Sequence, residues 1–574
     1  MTRTRRCLVG AVAALVIFAT AAAATAQTCT LTLKRRETKS ARGYVDFTDY
    51  MLWSVRPQYF SAQINAEGKV KSRPVISGDK SQEDAFKRIV KKEPKYQSKY
   101  PFRGVVKLGS QEFAFALDRV APTPAPAAKK PESKPISAKG TPSPEAAGEA
   151  LLSLGKLFGV YSDEQPAAKP AIPVKEFSYN RLYFDANHNG DLTDDKVVEL
   201  SANANPAAEL VPIVQSYLNF EFPRVDVTID VEGTKLDYSF YLQGYAYSMA
   251  SACQVSISVN SAVCREGDIT LAGKRHHLVL LDYNSNGRFD DQSKISENIH
   301  LASGQLYPEQ GDTLLVDPKL GKAAFDSPYD PTASDYRYDV AKLIAIDGRW
   351  YDLKISPTGD KLTLTPSTVP LGSVTNGNEA FRAIIYGEQG FLKIHGTKDK
   401  PIPVPAGKWK LLSYTITHAA PPEPAKPAEK KAETKPADKA AKAKKSTLFG
   451  VLAKQLVETI AGGESETPAA TPSPVAAGSL VSATATEKYK AVTVRKGKTV
   501  ELPFGPPYTP TVTAMSYGNP KGEPEQLYLE MSLVGVGGEG CANMLVKGTR
   551  PGKPGFTITD PKGKVVQQGD FEYG

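Results

Sequence analysis

A mainly β chain, built from several sandwich or meander modules in tandem, is what this sequence predicts. Three observations carry that prediction. Short runs rich in Val, Ile, Tyr and Phe recur along the chain, as at Val225–Val231, Ser239–Tyr247, Val255–Val259, Leu278–Asp282 and Leu527–Val534. Gly, Asp, Asn and Pro clusters bound them, as strand ends require. Tight-turn signals sit between such runs, at Val231-Glu232-Gly233-Thr234, Ile346-Asp347-Gly348-Arg349 and Asp560-Pro561-Lys562-Gly563-Lys564, where an Asp-Gly or similar pair accepts the positive φ of a hairpin turn. At 574 residues the chain is too long for a single core and suggests three or four domains.

From the N-terminus, Arg3, Arg5 and Arg6 precede an apolar run from Cys7 to Ala24, and Ala24-Thr25-Ala26 offers a small-x-small cleavage site. That order is expected of a signal peptide over residues 1–26 and places the mature protein in the periplasm or outside the cell. No later apolar stretch is long enough to span a bilayer, so no transmembrane segment is expected after cleavage. In an oxidising compartment Cys29, Cys253, Cys264 and Cys541 allow three pairings. The favoured pair is Cys253–Cys264, flanking a hairpin-like stretch from Gln254 to Val263, with Cys29–Cys541 tying the ends; free buried thiols are the alternative.

One helix is expected early: Ser81 with Asp84 forms a capping box, and Phe86, Ile89 and Val90 follow before Pro94. Two low-complexity inserts, at about 121–175 and 419–485, are rich in Pro, Ala and Lys and cannot bury enough apolar surface to offset their ordering entropy. Each holds one helix-like island. In the first, Ser143 and Pro144 precede Ala147, Leu151, Leu154 and Phe158; in the second, Ser446 precedes Leu448, Leu452, Leu456 and Ile460. The islands are expected to dock on each other, on the β body or on a partner, or to fluctuate. The inserts divide the chain into a β module at 27–201, a second at 202–335, a third at 336–418, a linker at 419–485 with its helix at 446–461, and a C-terminal sandwich at 486–574. Of the net charge of +9, +4 comes from the lysine-rich stretch 421–445 of the second insert, with 8 Lys against 4 Asp and Glu. Charge so placed is a solvation feature and predicts no nucleic-acid binding.

A pattern occurs twice. From Gly104 the chain reads GVVKLGSQEFAFALD, then the first insert, then NRLYFDANHNGDLTDD; from Gly267 it reads GDITLAGKRHHLVLLDYNSNGRFDD. The shared frame is a glycine-turned hairpin leading into a strand that ends at D-x-N-x-N-G. Calcium is a hard cation that takes six to eight oxygens. Side chains at positions 1, 3 and 5 of a tight turn can converge on it, glycine at 6 permits the bend, and position 7 offers a carbonyl. These are Asp185, Asn187 and Asn189 with the Asp191 carbonyl, and Asp282, Asn284 and Asn286 with the Arg288 carbonyl. Position 8 is apolar in both, Leu192 and Phe289, as for a residue tucked into the core.

The loops resemble those of EF-hands and dockerin-type repeats, set in a chain that is similar to secreted bacterial β proteins carrying such loops. The resemblance implies two Ca2+ sites. It departs at position 12, where Lys196 and Ser293 replace the bidentate Glu, and the entering element reads as a strand. The closing ligand is therefore expected from Asp194 and Asp195, from Asp290 and Asp291, or from another segment, with affinity in the weak extracellular range of about 0.1–1 mM.

Other motifs carry less. Gly535-Val536-Gly537-Gly538-Glu539-Gly540 matches GxGxxG but lacks a following helix, so it reads as a β-turn. His276 and His277 are neighbours on a strand and point to opposite faces, which disfavours a shared ion. No GxSxG, P-loop or HExxH is present. The functional expectation is an exported calcium-binding structural or interaction protein of the cell envelope that contacts a protein or glycan. The alternative is a secreted hydrolase acting on glycans through a carboxylate pair that the sequence does not single out.

Overall fold

In the computed structural model, residues 25–36, 57–65, 70–71, 81–120, 177–200, 217–249, 252–296, 304–318, 336–378, 380–398, 400–418, 479–517 and 526–572 are described. The signal segment (but for its last two residues), the first insert and both helical islands lie outside them.

The fold is mainly β, made of antiparallel strand pairs but for the parallel pair Leu371–Thr375 with Thr499–Glu501, and it has a single helix among the described residues. Turn chemistry accounts for much of the local register. Glu232 and Gly233 take φ of 51° and 83°, so Val231 faces Thr234 and the strand Val225–Val231 zips onto Thr234–Met249. Asp347 and Gly348 do the same at 49° and 72°, pairing Ile346 with Arg349. Along Val225–Val231 alternate side chains are buried, the two-residue period of a strand with one face on a core. The helix Ser81–Ile89 forms where the sequence predicts one, with Glu83 and Asp84 in its first turn. It seats Ala85 and Phe86 in a small cluster with Val105, Ala114, Ala116 and Tyr183, and Gln82 Oε1 accepts the Val105 N–H (2.9 Å).

Two large apolar cores organise the chain, and they do not follow the expected module limits. The first takes buried side chains from Cys29 through to Leu364. It spans the first two modules and the opening part of the third, and the N-terminal strand Gln27–Thr30 pairs with Lys361–Pro366. The second core runs from Val374 to Phe504, with Leu306 added, around Trp409 and Tyr414. Here the strand Gly407–His418 pairs with Ser479–Thr484, which pairs in turn with Gly540–Leu545. Residues 479–484, assigned to the linker on composition, are therefore a central strand. Its Ser, Ala and Thr side chains read as low complexity although its backbone pairs with a strand on each side.

The cysteine pairing is corrected. Cys29, Cys253, Cys264 and Cys541 are all free, the first three of them buried. Gln254–Val263 is not a hairpin. It belongs to the strand Ala252–Ser261, which continues through Ala262 into Val263–Leu271. Extended chain advances about 3.3 Å per residue, so the intervening strand holds the two sulfurs far beyond disulfide reach. Burial pushes the Cys29 and Cys253 thiols up to about 11 and Cys264 to about 12. Because the thiolate is the reactive form, Ellman's reagent is expected to label Cys541 in the native chain and to reach the other three only on unfolding. Rapid native labelling of all four would contradict this burial.

Candidate metal centre in two strand-end loops

Both D-x-N-x-N-G loops stand at the end of a core strand, but they are reached differently. In the second copy the hairpin Val263–Leu271/Lys274–Leu281 runs straight into Asp282. In the first, the hairpin Phe102–Leu108/Gln111–Asp118 is followed by a third strand, Arg181–Phe184, paired Phe115 to Phe184. That third strand leads into Asp185. The hairpin's own second strand ends at Asp118, whose buried carboxylate accepts the N–H groups of Gln97 and Ser98.

Within each loop the geometry is shared. Asp185 accepts the N–H groups of Asn189 (3.0 Å) and Gly190 (2.9 Å). Asp282 accepts those of Asn286 (3.1 Å) and Gly287 (2.8 Å). His188 and Ser285 adopt φ of 59° and 58°, and Gly190 and Gly287 adopt 84° and 79°. At Gly287 glycine is required twice over, since a Cβ there would lie 2.5 Å from Ile229 Cδ1. Leu192 and Phe289 are both buried, as expected of position 8.

The acidic residues divide. Asp194 accepts Nδ2 of Asn187 (3.3 Å) and Asn189 (2.7 Å). Asp291 accepts Nδ2 of Asn284 (3.0 Å) and Asn286 (2.6 Å). These two carboxylates occupy the same position, the tenth, and close their loops over the amides. Asp195 turns back to the Ala186 N–H (3.2 Å). Asp290 faces away, held through both oxygens by the Arg288 guanidinium (3.0 Å each), so it is not brought to the loop centre. The Asp191 side chain likewise pairs outward with Lys92 (2.8 Å), which with Thr193 lowers its carboxyl to about 2. The sequence counted only the carbonyls of Asp191 and Arg288 as ligands, and nothing in these side-chain contacts alters that.

A residue that the motif does not contain completes the second loop. Asp312, fully buried, accepts the N–H groups of Tyr283 (3.0 Å) and Asp291 (2.8 Å). Burial is the main reason that its carboxyl is held well above the usual range, with Asp282 and Asp291 adding to it. Asp282 is itself pushed up to about 7, chiefly by burial and against the Tyr238 hydroxyl that donates to it (2.6 Å). Asp195 rises for the same leading reason, with Asp185 and Asp194 contributing. Arg288 approaches Asp291 only at 3.9 Å. Oδ1 of Asn284 is buried and meets no donor among the described residues, an uncommon state for a buried polar atom.

The surroundings differ between the copies. The first loop leans on the end of the helix, where Lys91 and Lys92 donate their N–H groups to the Gly190 carbonyl, and its Asn187 and Asn189 are exposed. The second is enclosed: Gly109 N–H, in the turn of the first hairpin, donates to Asn286 O (2.6 Å), and Gln58 Nε2 donates to Ser285 O (2.7 Å).

Among the described residues, no three His, Cys, Asp or Glu side chains form a metal cluster by themselves. A cation here would draw on Asn amide and backbone carbonyl oxygens as well, which is the donor set a hard ion takes. The carboxylates of the second loop, the unpartnered Asn284 oxygen and, among the described residues, the absence of a paired lysine or arginine at Asp282 and Asp312 fit such an ion. The two histidines follow the strand period: His276 is buried against Asp317 (2.8 Å) and His277 reaches Asp268 (3.2 Å) on the other face. Gly535–Gly540 is the turn between the antiparallel strands Gln526–Val534 and Gly540–Leu545. Among the described residues no helix is long and apolar enough to cross a membrane. Compared with known families and structures, the chain matches no family model, no curated protein and no solved structure.

Proposed function

We propose that this chain is an exported calcium-binding protein of the cell envelope, in which two Ca2+ ions stabilise loops of a β scaffold that contacts a protein or glycan. The observation that carries the reading is the second loop. Among the described residues, Asp282 is buried there beside Asp291 and the Asn284 oxygen that meets no donor, with no lysine or arginine paired to Asp282. Burying carboxylates without a counter-charge is costly, and a divalent ion supplies that charge. The same burial favours an ion over a sugar ring as the occupant and gives the hydrolase alternative no support at this position. The signal-like N-terminus supports export, and the EF-hand-like spacing supports calcium over other metals.

The test is calorimetric titration of the mature chain with calcium, alongside unfolding in EDTA and in millimolar calcium. Two sites and a calcium-dependent rise in midpoint are expected. Asp185→Ala and Asp282→Ala should each remove one site. A parent chain that takes up no calcium and shows no shift would overturn the proposal.

A further inference from the structure

The first loop supplies its carboxylates from within itself. The residue in the second loop that matches Asp195 is Gln292, an exposed amide with no carboxylate to give. We propose that Asp312, from outside the loop, is the third carboxylate ligand of the second ion site and stands in space where Asp195 stands in the first. This rests on the ion-binding reading above.

The equivalence is geometric. Asp195 accepts the N–H that follows the first loop's leading aspartate, Ala186 (3.2 Å). Asp312 accepts the N–H that follows the second loop's leading aspartate, Tyr283 (3.0 Å). Its other oxygen takes the Asp291 N–H (2.8 Å), and its own N–H donates to the Asp291 carbonyl (2.8 Å). The segment is thus clamped to the loop from both sides of the chain. Gly311 makes the approach possible, since a Cβ there would meet the Asp291 carbonyl oxygen at 2.2 Å. Asp282 and Asp312 are fully buried, and Arg288 comes only within 3.9 Å of Asp291. Asn284 Oδ1, on the side chain whose Nδ2 donates to Asp291, is buried and meets no donor among the described residues. An unpartnered amide oxygen on the side chain that holds Asp291, together with these carboxylates and the loop carbonyls, suits a hard divalent cation, which draws on mixed oxygen donors. Because Asp312 precedes the strand Thr313–Val316, which pairs with Lys274–Leu281, an ion at this site would fasten the loop to a neighbouring strand as well as closing the loop on itself.

Calcium titration and thermal unfolding of the whole chain test this with Asp312→Asn, which keeps an acceptor for the Tyr283 N–H. The parent should bind two ions, and D312N should weaken one site by roughly tenfold or more while sparing the other. In EDTA the D312N midpoint should fall only modestly, because Asn keeps one of the two N–H acceptors that Asp312 supplies, whereas in millimolar calcium it should fall much further below the parent. A purely structural Asp312 would lower both midpoints by the same amount. Gln292→Asp in the D312N background, which returns a carboxylate to the loop position of Asp195, should restore the second site. Two undiminished sites in D312N, or equal losses in EDTA and in calcium, would overturn the assignment and leave the ion-binding reading standing. A parent that binds no calcium would remove both.

Discussion

Calcium is expected to raise the unfolding midpoint far more at pH 8 than at pH 5. Asp282 has an ordinary carboxyl value near 3.8 and is pushed up to about 7 in the ion-free fold, by burial first of all. Asp312 and Asp195 shift in the same direction. A group with a raised folded value stabilises the fold while it keeps its proton. For Asp282 that contribution is complete below about pH 4 and is lost as pH climbs through about 7. In EDTA, stability should therefore decline from mildly acid to neutral pH. Calcium needs the deprotonated carboxylates, so its increment should be small at pH 5 and grow towards pH 8. Midpoints measured at pH 5, 6, 7 and 8, with EDTA or millimolar calcium, read this directly. An increment that does not change across that range would mean that these buried acids are not where the ion sits.

Gly287→Ala should cost much more than Gly233→Ala, although both glycines hold φ near 80°. At Gly233, in an open hairpin turn, an added Cβ meets nothing within 4 Å. The cost there is the conformational strain alone, about 1 kcal/mol. At Gly287 the Cβ would run into Ile229 Cδ1 at 2.5 Å and the Gly109 nitrogen at 3.0 Å, and overpacking of this kind adds about 1–3 kcal/mol. Urea unfolding of the two variants in calcium compares them, with a total loss of about 2–4 kcal/mol expected for Gly287→Ala. Equal losses at the two positions would show that the second loop is not wedged against the first hairpin as described.

The strands and turns were legible because their causes are local. Alternating burial in Val225–Val231, the Glu232-Gly233 and Asp347-Gly348 turns and the Ser81 capping box all act within a few residues. The leading half of each candidate loop was legible for the same reason, since Asp, Asn and Gly at fixed offsets dictate the turn. What was not legible depends on distant pairing. Asp312 belongs to the second loop only because the strand after it pairs with the strand before Asp282, and no spacing rule connects them. The outward turn of Asp290 depends on which neighbour Arg288 finds. The cysteine pair failed because Gln254–Val263 carries apolar and small residues that suit a continuous strand as well as a hairpin. The cores cross the expected module limits because composition marks where inserts fall, and inserts can interrupt a sheet as readily as separate two.

The strand Gln27–Thr30 holds a last consequence. Thr28 meets Thr363 side chain to side chain across 335 positions of sequence. During synthesis the leading strand emerges first and has no mate until residue 364 follows it. For all that time its bare edge is open to unwanted neighbours. Closure of the first core must be a late, slow event set by a long search between remote segments. A nascent chain of this architecture therefore needs shielding early, and truncations ending before residue 361 should expose that edge permanently.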